Sequence, residues 1–166
     1  MEIERKFLVN DLNDLDLSKY EYKHIIQDYL YTDKFTAIRK RKTINSDGNT
    51  SYTYTIKTNK VGISVNEIEQ TISEKDYMCL IINPNFNQID KTRYFIPYLD
   101  NLIIELDVFH GIFEGIIFAE IEFKSESQAN NILLPSWFYK DISTLITNSD
   151  MAIMNITDIR NIIQDS

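Results

Sequence analysis

The sequence predicts a largely antiparallel β-sheet or barrel with helices packed against its outside, an α+β chain. Three observations lead there. Short β-prone segments recur at hairpin spacing, separated by turn residues such as Asn45-Ser46-Asp47-Gly48-Asn49. Many of these segments carry two charged side chains separated by one residue, often an apolar one, so each has a charged face and an apolar face. The 166 residues are 43% hydrophobic, enough for one core and too many for a disordered chain.

In the opening stretch, Glu2, Glu4 and Lys6 share one face of a strand, with Ile3, Arg5 and Phe7 on the other. Residues 10–20 are polar with Leu12, Leu15 and Leu17 and read as a short helix or a loop. Residues 22–30 form a strand with Gln27 and Tyr29 opposite Ile26, Asp28 and Leu30. After a Thr32-Asp33-Lys34 turn, residues 35–44 bring Arg39 and Arg41, again two apart. Residues 50–58 alternate aromatic and hydroxyl side chains and end in Thr55-Ile56-Lys57; Val61-Gly62 begins a strand bearing Glu67 and Glu69. Ser73 caps a helix with early acids, an apolar stripe of Tyr77, Leu80 and Ile81, and a stop at Asn83-Pro84. Cys79 falls on the apolar side of that helix and reads as a core thiol. Strands follow at 89–97, with Lys91 and Arg93, at 102–109, with Glu105 and Asp107, and at 116–123, with Glu120 and Glu122. The remainder reads as helix and loop, anchored by the aromatic patch Trp137-Phe138-Tyr139.

A formal charge of −8 argues against a nucleic-acid partner, because phosphate backbones are held by net basic surface. The single cysteine cannot form an internal disulfide, no basic leader is visible, and no apolar run approaches membrane-spanning length. The expectation is a soluble cytoplasmic protein, with no membrane partner, as a monomer or a homodimer. His24 and His110 read as structural or surface residues.

Any one Glu-x-Glu pair on a strand is ordinarily a solvated face. Seven segments are different: four carry acid pairs (Glu2/Glu4, Glu67/Glu69, Glu105/Asp107, Glu120/Glu122) and three carry bases (Arg39/Arg41, Thr55/Lys57, Lys91/Arg93). Like charges spaced along a strand without partners are destabilising. Facing one cavity, the acids can hold a hard divalent cation such as Mg2+ or Mn2+, and the bases can hold phosphate oxygens. Together they point to a small-molecule metal–polyphosphate ligand.

The same residues carry a resemblance. Glu2-Ile3-Glu4-Arg5-Lys6, Gln27-Asp28-Tyr29-Leu30, Arg39-x-Arg41, Thr55-Ile56-Lys57, Gly62 before Glu67-x-Glu69, Lys91-Thr92-Arg93, and Glu105-x-Asp107 leading through Gly111 and Gly115 to Glu120-x-Glu122 resemble, in order, the signature of the CYTH superfamily, the triphosphate tunnel metalloenzymes. The resemblance implies an eight-stranded antiparallel tunnel within a single domain over 1–166, its motifs in 1–123 and a helical and loop segment in 124–166. It implies Mg2+- or Mn2+-dependent hydrolysis of a linear triphosphate, inorganic tripolyphosphate first, with nucleoside triphosphates alongside. Class IV-type adenylyl cyclase, thiamine triphosphatase and a non-catalytic polyphosphate or nucleotide sensor are the alternatives. On this reading Lys6, Arg39, Arg41, Lys57, Lys91 and Arg93 grip phosphate. Glu2, Glu4, Asp107, Glu120 and Glu122 hold metal, and Lys6, Glu4 and Glu69 serve catalysis. Two departures stand out: Val65-Asn66 where many relatives have an arginine, and residues 145–152, which lack a further basic side chain.

Overall fold

A computed structural model of the protein describes residues 2–12, 15–61 and 64–164, with the backbone alone described for Glu2, Asn59, Lys60, Val61 and Ser64. The strands are β1 (Glu2–Leu8), β2 (Glu21–Thr32), β3 (Thr36–Asn45), β4 (Thr50–Val61), β5 (Ser64–Ile72), β6 (Ile89–Pro97), β7 (Ile103–Phe109), β8 (Ile117–Glu122) and β9 (Lys140–Asp141). Among the described residues, four α-helices accompany them: α1 (Glu74–Cys79), α2 (Glu126–Asn131), α3 (Asn148–Ile153) and α4 (Ile156–Gln164). The long strands curl round in the order β5-β4-β3-β2-β6-β7-β8-β1, every pairing antiparallel. β1 then meets β5 at only two positions, Glu2 opposite Val65 and Ile3 opposite Ser64. This is the expected tunnel of eight strands, with a short ninth, β9, added beside β1. The expected role of Gly62 lies outside the described residues.

Alternation along the strands divides the side chains between two environments. Ile3, Phe7, Ile104, Leu106 and Ile121 point outward and pack in one core with residues of α2 and of the 132–138 segment. The Phe138 ring stacks on Phe7 at 4.5 Å, and Trp137 meets Phe138 edge-on at 4.7 Å. Arg5, on the same outward face, donates to the Asp141 carboxylate at 2.7 Å and to the Ala129 carbonyl at 2.7 Å, tying β1 to the C-terminal segment. The patch at 137–139 is therefore an anchor through its first two residues, while Tyr139 is exposed.

Inward, the strands change character along their length. Lys6 is followed by Leu8, Asp107 by Phe109, Lys91 is preceded by Ile89 and Glu120 by Phe118. These apolar ends join Ile142, Ile146, Met151, Ile159 and Ile163 in a second core. α3 and α4 thus lie across one end of the ring rather than along its side. A capping box fixes the start of α3: Thr147 Oγ1 accepts from the Asp150 amide, and the Asp150 carboxylate accepts from the Thr147 amide.

α1 is shorter than its sequence suggests. Ser73 caps it as expected, accepting from the Asp76 amide at 3.0 Å. The helix ends at Cys79, before a second turn can build the apolar stripe, so only Tyr77 is buried; Cys79 is exposed and Ile81 is 88% exposed. Cys79 is therefore not a core thiol. Lys40, on the outward face of β3, holds the helix end by donating to the Tyr77 and Leu80 carbonyls at 3.1 and 2.9 Å. His24 pairs with Asp90 and His110 with Thr92, each at 2.7 Å, in structural roles. No described helix is long and apolar enough to cross a membrane.

Candidate active site

The inward charged faces enclose a cavity of about 240 Å³. β1 contributes Glu4 and Lys6, β2 Tyr29, and β3 Arg39 and Arg41. β4 contributes Lys57, β5 Val65, Glu67 and Glu69, β6 Arg93, β7 Glu105, and β8 Glu120 and Glu122. Residues of the β2–β3 turn and of the start of α3 complete the wall. Of the side chains predicted to form the site, Glu4, Lys6, Arg39, Arg41, Lys57, Glu69, Arg93, Glu120 and Glu122 line this one space. Lys91 and Asp107 do not: both are fully buried, paired with each other at 2.5 Å, just behind Arg93. The Glu2 side chain lies outside the described residues.

On the β6–β7–β8–β1 wall one chain of ion pairs sets the charge. Arg93 Nε donates to Asp107 Oδ1 at 2.6 Å, and its Nη atoms reach Glu105 and Glu120. Lys6 Nζ lies 2.9 Å from the other Glu120 oxygen. Cross-strand register makes this possible, since Lys6 sits opposite Glu120, Glu120 opposite Glu105, and Arg93 opposite Asp107. Burial disfavours the Glu120 carboxylate, but Lys6, Arg93 and Lys91 outweigh it and hold its pKa well below 4.5. Burial likewise works against Lys6, and Glu120, Glu4 and Asp107 reverse it, raising its pKa above 10.5. Glu105 goes the other way. Burial raises its pKa despite Arg93, whose guanidinium is shared with Asp107 and Glu120. Burial and neighbouring Arg93 pull the Lys91 ammonium down to about 8.

The β3–β4–β5 wall is more loosely paired. Arg41 Nε donates to Gln27 Oε1 at 2.8 Å, while its nearest carboxylate, Glu69, is 3.9 Å away. Arg39 stands 3.9 Å from Glu67. Burial, with Arg39 and Arg93 nearby, pulls Arg41 down to about 10, still a cation at neutral pH. Lys57 is 2.7 Å from Glu67, and Thr55 donates to Glu69 at 3.1 Å. These guanidinium groups are held in place without being neutralised at contact distance, the condition for accepting an oxyanion.

Among the described residues, seven carboxylates and six cations line the cavity. No three His, Cys, Asp or Glu side chains among the described residues converge into a ready-made metal cage. Glu4 and Glu122 nevertheless suit a hard divalent cation. They stand directly opposite in register, and neither carboxylate makes a hydrogen bond or ion pair among the described residues. Mg2+ is commonly held by one or two carboxylates, with waters and substrate phosphates completing its shell.

Sequence reasoning noted Glu67 and Glu105 as charged pairs without placing them in the site, although the same i, i+2 signal marks both. It missed the β2–β3 turn, Asp33 to Phe35, the first residues of β3, Thr36 and Ala37, and Thr147 to Ser149, which carry no charged periodicity. Both departures from the tunnel signature fall here: Val65 and Thr147-Asn148-Ser149 put neutral side chains on the cavity wall.

The geometry has counterparts among known proteins. A family model described as CYTH domain matches residues 1–132. An inorganic triphosphatase from Nitrosomonas europaea is 33% identical over 142 residues, 86% of this chain and 89% of that protein. The crystal structure of the inorganic triphosphatase NE1496 superposes with a TM-score of 0.65 at 28% identity, covering 93% of this chain and 96% of that one. A putative adenylyl cyclase from Hippeastrum, described as having a dominant triphosphatase activity, shares the fold at a TM-score of 0.60 and 17% identity, over 78% of this chain and 83% of that one.

Proposed function

The chain belongs to the CYTH domain family, and from that premise we propose that it is an inorganic triphosphatase, cleaving the terminal phosphoanhydride of tripolyphosphate with Mg2+ or Mn2+. The observation that carries this is the near balance of seven carboxylates against six cations around one cavity. Such a wall does not suit a highly charged anion alone, because the carboxylates repel it. It suits that anion together with divalent cations.

In this reading Arg39, Arg41, Lys57 and Arg93 hold the phosphate oxygens, and Arg41, lacking a close carboxylate, gives its guanidinium edge to the ligand. Lys6 contacts the terminal phosphoryl group while its bond to Glu120 keeps it charged and in place. Glu4, Glu120 and Glu122 would hold the cation, which when bound neutralises phosphate charge and lowers the pKa of a bound water. Glu4 and Glu69 are the candidates for taking the proton from the attacking water. Lys91 and Asp107 act from behind the wall: they fix the Arg93 fork, so that it presents a constant edge to the cavity. Most of the catalytic effect is then positioning and charge stabilisation, as in other phosphoryl transfers.

The test is phosphate release from tripolyphosphate in Mg2+ and in Mn2+, each with and without excess chelator. Release that depends on the metal is expected. Absence of release under both metals, or an undiminished rate in chelator, refutes the proposal.

A further inference from the structure

Gln27 is fully buried on the inward face of β2, behind the residues that line the cavity. Its carboxamide is only half used. Oε1 accepts from Arg41 Nε at 2.8 Å, and among the described residues Nε2 has no hydrogen-bond partner. A buried donor left unpaired costs free energy. Folding alone would favour a side chain with both ends satisfied, or with no polar end.

Cross-strand register shows what the position controls. β2 and β4 flank β3, and the residues opposite Arg41 are Gln27 and Thr53, both neutral. Arg39 is flanked likewise, by Tyr29 and Thr55. Thr53 Oγ1 is, like Gln27 Nε2, buried without a partner among the described residues. Arg93 is placed differently, with Asp107 opposite it on β7 and bonded to it. The side chain opposite Arg41 therefore decides how much of its charge a ligand meets. An acid of the same length would hold the guanidinium by a charge-assisted bond, about twice as strong as a neutral one, and a bound anion would have to compete with it. An apolar side chain would leave the guanidinium unsteadied. Gln27 fixes Nε and leaves the Nη atoms without a hydrogen bond among the described residues.

We propose that Gln27 is a positioning residue, a neutral tether that aims Arg41 at the phosphate oxygens without neutralising it, and that this neutrality sets the affinity for the triphosphate. The proposal rests on the triphosphatase reading and gives a role within it to a residue that touches no substrate.

The test is a pair of double-mutant cycles: Gln27→Glu and Gln27→Met, each alone and each combined with Arg41→Ala, read as kcat and KM for tripolyphosphate in Mg2+. Gln27→Glu should lower kcat/KM about tenfold, mostly through KM, as a charged acceptor replaces a neutral one. Gln27→Met loses the aim and keeps the charge, so its loss should be smaller, about threefold. Combined with Arg41→Ala, neither should lower kcat/KM by more than about twofold beyond Arg41→Ala alone. Melting temperature reports folding in every variant, and if Gln27→Glu does not fold, the Gln27→Met cycle decides. Wild-type kinetics in Gln27→Glu overturn the proposal, since a merely structural acceptor is served as well by a carboxylate. Wild-type kinetics in Gln27→Met do the same. So does an effect that persists in full without Arg41, which would be plain repulsion between the introduced carboxylate and the ligand. Each of these leaves the triphosphatase reading standing, whereas no phosphate release from the wild type takes down both.

Discussion

At the scale of single residues, the cavity sets cations tightly paired with acids beside cations loosely paired. Arg93 is braced by three carboxylates at contact distance, whereas Arg41 is steadied by neutral Gln27 and faces its nearest acid at 3.9 Å. Arg41→Ala should therefore lower kcat/KM for tripolyphosphate about 100-fold, on the scale of losing one preorganised donor, with little change in melting temperature. Steady-state kinetics beside thermal unfolding checks both halves. Lys91 offers a pH signature. Its folded pKa, about 8, lies below its ordinary 10.5, so the unfolded chain binds more protons between those values. Its contribution is fully present above pH 10.5 and is lost as pH falls toward 8. The stability difference between wild type and Lys91→Met should shift in favour of the wild type as pH rises from about 8 to 10.5. Denaturant midpoints across that range would show a flat difference if burial does not govern Lys91. The i, i+2 spacing made Arg39, Arg41 and Glu120 legible as site residues. It could not tell the lining residue Arg93 from buried Lys91, because both are inward on one strand and only depth separates them.

At the scale of elements, each strand has a working face and a holding face. On β7, Glu105 looks into the cavity while Leu106, one residue on, is fully buried in the outer core. Leu106→Ala should cost about 3 kcal/mol of stability and leave KM for tripolyphosphate near the wild-type value at low temperature. A variant with normal stability and a raised KM would mean the two faces are not separate. Strand faces were readable because charge and apolar character alternate with period two. The C-terminal third was not readable in the same way. β9 is two residues long, and its pairing with β1 is fixed by distant groups: Ser143 Oγ accepts from the Lys6 amide at 2.9 Å, and Arg5 reaches Asp141. The Ser73 cap was visible, but the early end of α1 was not, because the grip of Lys40 on the Tyr77 and Leu80 carbonyls is a long-range contact.

At the scale of the molecule, acids and bases from seven strands are held close because the sheet curls round until β1 meets β5, so like charges on each wall repel at a cost in folding free energy. Ligand and cation together should relieve that repulsion. Mg2+ with tripolyphosphate at 100 times Kd is expected to stabilise the fold by about 2.7 kcal/mol, read as a raised melting temperature in a variant too slow to consume the ligand. An unchanged melting temperature counts against binding in the cavity. The closing strand also imposes an order on synthesis. β1 precedes β2 to β9 in the chain, yet its partners are β5, β8 and β9. A nascent chain therefore carries β1 without its β8 partner until residues near 120 have left the ribosome, and before then β5 can pair only with Glu2 and Ile3. Glu4, Arg5 and Lys6 put charge along that uncovered stretch, and charge along a bare edge discourages pairing with a neighbouring chain.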